Sequence, residues 1–172
     1  AHQQGVVHRL LRPEVILVED RACPKQIRIT GFDLAKQLAI DTTLSLTTVA
    51  DDRMVLAAPE VVQSFSSAEP ASDQFSLGAI LALLLTGKPL FESTRQLMAA
   101  RRLLRRVRDL ADRIPLSLDA ATSRMVELRP AERFPTLAEA IDAVRKGREP
   151  ESRVLPGLAA PPKPLDADNL EP

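Results

Sequence analysis

The sequence predicts a mainly α-helical domain that carries one small β-hairpin. Two β-branched runs near the start, VILV at 15–18 and IRIT at 27–30, predict the hairpin. A capped apolar segment at 72–89 and the amphipathic segments after it predict the helices. With 172 residues, of which 45% are apolar, the chain is long enough for one domain with a sizeable core.

The two β-branched runs are separated by EDRACPKQ, whose polar residues and Pro24 predict a loop. Cys23 in this loop is the only cysteine, which excludes an intrachain disulfide and a cysteine-rich metal site. No basic cluster lies beside it, so we do not expect a reactive thiol. From Gly31 to Pro59 the chain is rich in Ser, Thr and Asp with little periodicity, which predicts a long loop of the kind that is often functional.

The segment 72–89, SDQFSLGAILALLLTGKP, predicts the central helix. Ser72 and Asp73 give a cap signal, and Gly87 and Pro89 are stop signals. Because the segment is apolar on nearly every face, we expect it to be buried in the core. At about 16 residues between its caps it is too short to span a membrane.

Three further helices are predicted towards the C-terminus. An amphipathic one covers 93–113, a second covers 117–128 and begins at Ser117, and the last covers 136–146. Thr136 and Glu139 have the spacing of a capping box at the start of the last helix. After Gly147 the sequence becomes proline-rich, so we predict a folded domain at 1–147 and a disordered tail or linker at 148–172.

The charge and hydropathy patterns of the sequence indicate which partners and which cellular location to expect. Acidic and basic residues number 23 each, so no overall field recruits nucleic acid or an acidic membrane. The run RRLLRRVR at 101–108 favours either an anion-binding helix or a solvated or protein-contacting face. The absence of aromatic residues in the run, together with Asp109 and Asp112, favours the second interpretation. No signal peptide or membrane span is visible, so we expect a cytoplasmic protein.

Five motifs occur in the sequence in a characteristic order. They are HRLLRPEVIL at 8–17, ITGFDLAK at 29–36, LAAPE at 56–60, SDQFSLGAILALLLTGKPLF at 72–91 and RPAERFPT at 129–136. With these motifs, residues 1–146 resemble the C-terminal lobe of the eukaryotic-type Ser/Thr protein kinases, with bacterial members nearest. The first motif is similar to the family's catalytic loop HRDLKPENIL and the second to its ITDFGLAK, so the resemblance implies a kinase-like C-terminal lobe.

Three departures from the family pattern fall on the positions that carry its chemistry. Leu10 stands at the catalytic aspartate, Val15 at the metal-binding asparagine and Gly31 at the magnesium-binding aspartate. Leucine accepts no proton from a substrate hydroxyl, and neither Val15 nor Gly31 offers the side-chain oxygen that Mg²⁺ requires. We therefore expect no catalytic residues, no metal and no bound cofactor, with ATP and Mg²⁺ involved only if the chain is part of a working kinase.

Asp33 is the one weak candidate for a replacement metal ligand. It lies two residues after Gly31, and two extended residues return to the same face about 6.8 Å further along. Because metal sites tolerate distance errors of only about 0.2 Å, we favour a solvated or turn-forming aspartate.

The family's architectural residues are present. The resemblance implies that Asp73 holds the backbone of the loop at 8–17, that Glu60 pairs with Arg133, and that His8 is structural. Arg9 matches an arginine that receives a phosphate in many relatives, which raises the hypothesis of a phosphorylated loop docking on it. The candidate acceptors are Thr42, Thr43, Ser45, Thr47 and Thr48.

No G-x-G-x-x-G is found in the sequence and nothing resembles V-A-I-K, so we expect the N-terminal lobe to be absent from this chain. These observations predict a pseudokinase-like fragment that acts as a binding or regulatory module. The expected partner is a protein, or a second copy of the chain, at the exposed lobe face. Two alternatives are a truncated piece of a Ser/Thr kinase that transfers phosphate from ATP to protein Ser/Thr, and a remnant without function.

Overall fold

The computed structural model describes residues 1–19, 26–37, 54–100, 106–111 and 114–148. Several predictions fall outside these ranges. They concern the loop cysteine, the five hydroxyl residues, the first part of the arginine run and the proline-rich tail: Cys23, Thr42, Thr43, Ser45, Thr47, Thr48, 101–105 and 149–172.

The described strands form two antiparallel pairs. β2 (Ile16–Val18) pairs with β3 (Ile27–Ile29), with Leu17 opposite Arg28, which confirms the predicted hairpin. β1 (Val6–Val7) pairs with β4 (Lys36–Gln37), and this second pair was not predicted. Strands of two residues are too short to show the alternation that identifies a strand in sequence.

The described part of the chain contains five α-helices, as expected for a mainly α-helical domain. They are α1 (Pro59–Gln63), α2 (Pro70–Thr86), α3 (Thr94–Ala99), α4 (Leu116–Met125) and α5 (Leu137–Arg148). Helix α4 packs against both α2 and α5. In the ranges the structure describes, none of the helices is long and apolar enough to cross a membrane.

Helix α2 begins two residues earlier than predicted and is buried differently. Its N-cap is Glu69, which forms a capping box with Ser72, and it ends at Gly87 in the left-handed conformation (φ 69°). The prediction that nearly every face is buried is wrong for the last turns, because Leu84 is 76% exposed. The buried residues of the helix lie between Ser72 and Ala82. At the start of this part the side chains of Ser72, Asp73 and Gln74 form hydrogen bonds.

The prediction of one helix over 93–113 is wrong. Helix α3 ends at Ala99, and Ala100 has an extended backbone (φ −70°, ψ 129°). Val107–Asp109 forms a separate 3₁₀ turn. Arginines recur four apart in this segment, and like charges at that spacing repel each other on a helix. The Ser93 side chain caps α3 by accepting a hydrogen bond from the Gln96 amide.

The last two helices correct the predicted bounds. Helix α4 begins after Pro115 rather than at Ser117. The Thr136 hydroxyl accepts a hydrogen bond from the Glu139 amide at 3.2 Å, which confirms Thr136 as the cap of α5. Gly147 lies inside α5 and does not end it. A Cβ at Gly147 would stand 2.7 Å from the Leu118 backbone, so glycine here allows α5 to approach α4 closely.

Candidate functional site

Asp73 on α2 organises the loop that follows β1. Its carboxylate accepts backbone N–H bonds from His8 at 2.8 Å and from Arg9 at 2.9 Å. Arg9 has a left-handed backbone (φ 73°), an unusual conformation that these paired bonds hold in place. Asp73 is only 2% exposed, so its charge is stabilised by donors rather than by water. The contact that the sequence predicted between Asp73 and this loop is present.

The side chain of His2 also reaches Asp73, which the sequence analysis missed. His2 Nε2 lies 2.8 Å from the Asp73 Oδ2 atom. Contacts across 71 residues carry no signal in a single sequence, because nothing in the spacing or type of the two residues marks them as neighbours.

Leu10, Val15 and Gly31 lie in apolar surroundings. Leu10 and Val15 are 7% and 8% exposed and belong to the hydrophobic core. Gly31 has φ 77°, and a Cβ built on it would stand 2.8 Å from Val15 Cγ1. That distance is far inside van der Waals contact, so Val15 fills the space that a side chain at Gly31 would need. At these three positions the structure therefore has aliphatic packing and no side-chain oxygen.

His8 is a packing residue with one hydrogen bond. Its Nε2 donates to the Thr30 carbonyl at 2.7 Å, and its ring lies 4.6 Å from the ring of Phe32. Its Nδ1 atom is buried and has no hydrogen-bond partner among the described residues. His8 thus joins the loop after β1 to the segment after β3, as a structural role requires.

Asp33 lies on an exposed 3₁₀ turn, Phe32–Leu34. Among the residues that the structure describes, no group of three or more His, Cys, Asp or Glu side chains is close enough to hold a metal ion. Within the described ranges, Asp33 therefore belongs to no such group.

Glu60 and Arg133 form an ion pair with two parallel hydrogen bonds, in which Arg133 is buried and Glu60 is partly buried. The Arg133 guanidinium donates to the two carboxylate oxygens at 2.7 and 2.9 Å. It also donates to the carbonyls of Glu127 and Ala71, each at 2.8 Å, and lies over the Phe75 ring at 5.0 Å. The pair joins α1 to the segment before α5, which is the contact predicted from the sequence.

The surroundings of Glu60 set its pKa. Burial by itself would raise the pKa of this carboxyl. The hydrogen bonds and charge of Arg133 outweigh burial, with further hydrogen bonds from the backbone and from Ser72, and lower the pKa below its ordinary value of 4.5. Ser72 donates to Glu60 at 2.8 Å, so the N3 residue of the α2 capping box also stabilises the ion pair.

Arg9 presents a buried cation of a different kind. The residue is 1% exposed, and within the described residues its three guanidinium nitrogens have no hydrogen-bond partner. Its guanidinium carbon lies 4.7 Å from the centre of the Phe65 ring. Desolvation by burial lowers the pKa of Arg9. A buried guanidinium with free donors is a ready partner for an anion.

Comparison with known proteins identifies the class to which this scaffold belongs. The sequence model of the protein kinase domain matches residues 1–143. The chain belongs to the protein kinase family.

Serine/threonine kinases of bacteria are among its relatives. The serine/threonine-protein kinase PknA of Mycobacterium tuberculosis is 31% identical over 172 residues, which cover 94% of this chain and 38% of that protein. The serine/threonine-protein kinase PknB of Mycobacterium leprae is 26% identical over 159 residues, 88% of this chain and 25% of that protein. The probable serine/threonine-protein kinase pknA2 of Bifidobacterium longum is 40% identical over 93 residues, 54% of this chain and 12% of that protein. The chain thus spans between 12% and 38% of the length of these relatives.

Proposed function

We propose that the described residues form a degenerate kinase C-terminal lobe that acts as a non-catalytic binding or regulatory module. The observation that carries this proposal is the apolar packing at the three positions of the family's chemistry. Leu10 and Val15 are buried in the core, and Val15 occupies the space beside Gly31.

The chemistry at these positions favours loss of phosphoryl transfer. In kinases a carboxylate accepts the proton of the substrate hydroxyl, and metal ions neutralise the charge on the transferring group. A positioned general base contributes about 10²- to 10⁴-fold in rate. Leu10 supplies no base, and Val15 and Gly31 supply no metal ligand.

An exposed apolar surface on the hairpin supports a binding role. Val18 and Ile27 are 45% and 64% exposed, although they are paired with each other across the two strands. A cluster of large apolar residues on one small hairpin marks an interaction surface more often than a solvated one. We refer to it as the hairpin face, which consists of Val18, Ile27 and Ile29 on one side of the paired strands. We propose that a protein partner, or a second copy of the chain, covers it.

A second function, that of a piece of a working Ser/Thr kinase, is favoured by the relatives and by the intact architectural contacts. PknA and PknB are named as serine/threonine-protein kinases. Asp73, Glu60 and Arg133 keep the hydrogen bonds described above. These contacts position a loop and do not require catalysis.

Titration with ATP and Mg²⁺ separates the two functions. A ligand that binds only the folded state raises the unfolding temperature, so we expect no saturable shift with ATP and Mg²⁺ together. The kinase domain of PknA, titrated under the same conditions, serves as the positive control. A saturable shift that requires both ATP and Mg²⁺ would overturn the non-catalytic proposal.

The role of the hairpin face is tested by a polar substitution on each strand. We expect Val18→Ser combined with Ile27→Ser to abolish self-association in sedimentation and to reduce binding of a hydrophobic dye, because the two residues are paired on the same face. Leu116→Ser on α4 is the matched control, because Leu116 is a similarly exposed leucine (59%) outside the hairpin. Equal dye binding and equal association in both variants would remove the hairpin face as the binding surface.

We also propose that the free guanidinium of Arg9 takes a phosphate carried by the segment that holds Thr42, Thr43, Ser45, Thr47 and Thr48. The test is the unfolding midpoint of chains in which one phosphothreonine or phosphoserine is placed by semisynthesis. At least one site should raise the midpoint, and Arg9→Met should remove that increment. An increment that survives in Arg9→Met would assign the phosphate to another partner.

A further inference from the structure

Two buried arginines of the domain each lie over a buried phenylalanine ring. The guanidinium carbon of Arg133 is 5.0 Å from the centre of the Phe75 ring. That of Arg9 is 4.7 Å from the centre of the Phe65 ring. Phe75 is fully buried and Phe65 is 4% exposed. The same arrangement of cation and ring therefore occurs twice, in both cases away from solvent.

The pair of Arg133 and Phe75 shows how a guanidinium that lies on a ring binds an anion in this protein. The ring covers one face of the planar group, whereas the N–H donors lie in its plane and remain available. In Arg133 those donors bind the two carboxylate oxygens of Glu60 at 2.7 and 2.9 Å. A ring and an oxyanion are therefore compatible partners of one guanidinium, because they use different parts of it.

The pair of Arg9 and Phe65 has the ring without the oxyanion. Within the described residues, Nε, Nη1 and Nη2 of Arg9 are buried and have no hydrogen-bond partner. The backbone of Arg9 is fixed, because its N–H donates to the Asp73 carboxylate at 2.9 Å and its φ is 73°. The backbone and one face of the guanidinium are thus held in place, while the N–H edge lacks a partner in this part of the chain.

The turn that carries Phe65 directs its ring inward. Phe65–Ser67 is a 3₁₀ turn directly after α1, and the hydroxyls of Ser64 and Ser66, on either side of Phe65, are joined by a hydrogen bond of 2.8 Å. Both serines are exposed, whereas Phe65 is buried between them. One short segment, which begins with Glu60 on α1, therefore supplies the anion for one buried arginine and the ring for the other.

We infer that Phe65 is a positioning residue, whose ring orients the Arg9 guanidinium so that its N–H edge receives one oxyanion. The inference rests on the proposal that Arg9 takes a phosphate, and it adds the residue that prepares Arg9 for it. Phe65 itself does not touch the anion. A guanidinium that is already packed on one face loses less conformational entropy when an anion binds. Phosphate suits its planar fork, since it accepts two parallel hydrogen bonds.

The test measures the rise in the unfolding midpoint that phosphate produces. One arm titrates the 172-residue chain with inorganic phosphate at constant ionic strength, and the other uses the phosphorylated semisynthetic chains described above. Phe65→Met keeps an apolar side chain but removes the aromatic face. We expect it to weaken the apparent affinity for inorganic phosphate by about threefold to tenfold, whereas Phe65→Tyr retains the ring and should keep the affinity.

Two further variants are the controls. Phe134→Met removes another ring that lies against an arginine, since the guanidinium carbon of Arg124 is 4.3 Å from the centre of the Phe134 ring. This variant should keep the full increment from phosphate. Arg9→Met gives the general effect of phosphate on stability, which is subtracted from every titration. Each increment is measured within one variant, so a loss of stability from the substitution itself does not enter the comparison.

The outcomes distinguish the role of Phe65 from that of Arg9. If Arg9→Met removes the increment and Phe65→Met keeps all of it, the inference is overturned and the proposal for Arg9 stands. If Phe65→Tyr binds as weakly as Phe65→Met, the aromatic ring is not the cause and the inference is overturned as well. The absence of an Arg9-dependent increment in both arms overturns the inference together with the proposal for Arg9. If Phe65→Met does not fold, Phe65→Leu replaces it.

Discussion

Two regions of this small domain differ in whether they contain charged side chains. One is the ion pair of Glu60 and Arg133, and the other is the uncharged cluster of Leu10, Val15 and Gly31. The ion pair has one buried and one partly buried charge, and each forms hydrogen bonds within the protein. The cluster has no charge and is filled by aliphatic contacts. Protein groups alone can stabilise the first arrangement, whereas a buried acid at the second would need a metal or solvent to offset its desolvation.

Breaking the ion pair should have the largest effect. Arg133→Met removes the buried guanidinium and leaves the partly buried carboxylate of Glu60 without its charged partner, so we expect a loss of about 3–4 kcal/mol in the free energy of unfolding. Chemical denaturation measures it. The control is Arg129→Ala, which removes an exposed pair with Glu132 and should change stability by less than about 1 kcal/mol. Equal losses in the two variants would contradict the difference between buried and exposed pairs.

Restoring an acid to the cluster should be the next largest effect. Leu10→Asp removes a buried aliphatic side chain and introduces an unpaired carboxyl, so we expect a loss of about 2–4 kcal/mol in unfolding free energy. Leu10→Met is the control and should cost less than about 1.5 kcal/mol, because it keeps the volume apolar. Stability of Leu10→Asp equal to that of the unsubstituted chain would show that this position is still open to solvent or to an ion.

The contact between Val15 and Gly31 gives a smaller effect with a specific signature. Gly31→Asp places a Cβ 2.8 Å from Val15 Cγ1 and should cost about 1–3 kcal/mol. Val15→Ala removes the clashing methyl groups. In a double-mutant cycle we therefore expect the loss of unfolding free energy in the combined variant to be smaller than the sum of the two single losses, by about 0.5–3 kcal/mol. Additive losses would mean that the two positions are not packed against each other.

Sequence alone predicted the features that depend on local pattern or on family motifs. The hairpin follows from two β-branched runs, and the cap at Thr136 follows from a local spacing. The resemblance to the family predicts the contact of Asp73 with the loop after β1 and the contact of Glu60 with Arg133, since no spacing rule joins residues that are 64 to 73 positions apart. The packing of Val15 on Gly31 was not predicted, because it depends on the positive φ of Gly31 and on interatomic distances.

The errors have physical causes as well. A single helix over 93–113 was expected from its apolar period, but repeated arginines oppose helix continuation and the chain leaves the helix at Ala100. Full burial of α2 was expected from its composition, yet Leu84 is exposed because composition does not specify what lies beside the last turns. The last helix is predicted over 136–146, whereas α5 continues through Gly147, whose missing side chain allows the close contact between α5 and α4.

The smallest predicted effect is a pH dependence of stability, which we expect from the ion pair of Glu60 and Arg133 and not from the uncharged cluster. Because the folded protein lowers the pKa of Glu60, the pair stabilises the fold above the ordinary value of 4.5, and this contribution is lost as the pH falls through the lower folded value. The measured quantity is the difference in unfolding free energy between the unsubstituted chain and Glu60→Gln from pH 6 to pH 3. That difference should shrink as the pH falls. Protonation removes the negative charge of Glu60 from the unsubstituted chain, and the substitution has already removed it from Glu60→Gln. Glu132→Gln is the control, as Glu132 pairs only at the surface, and its difference should stay nearly constant. A difference that stays constant for Glu60→Gln would mean that other groups cause the loss of stability at low pH. A difference that shrinks assigns this loss to the ion pair of Glu60 and Arg133.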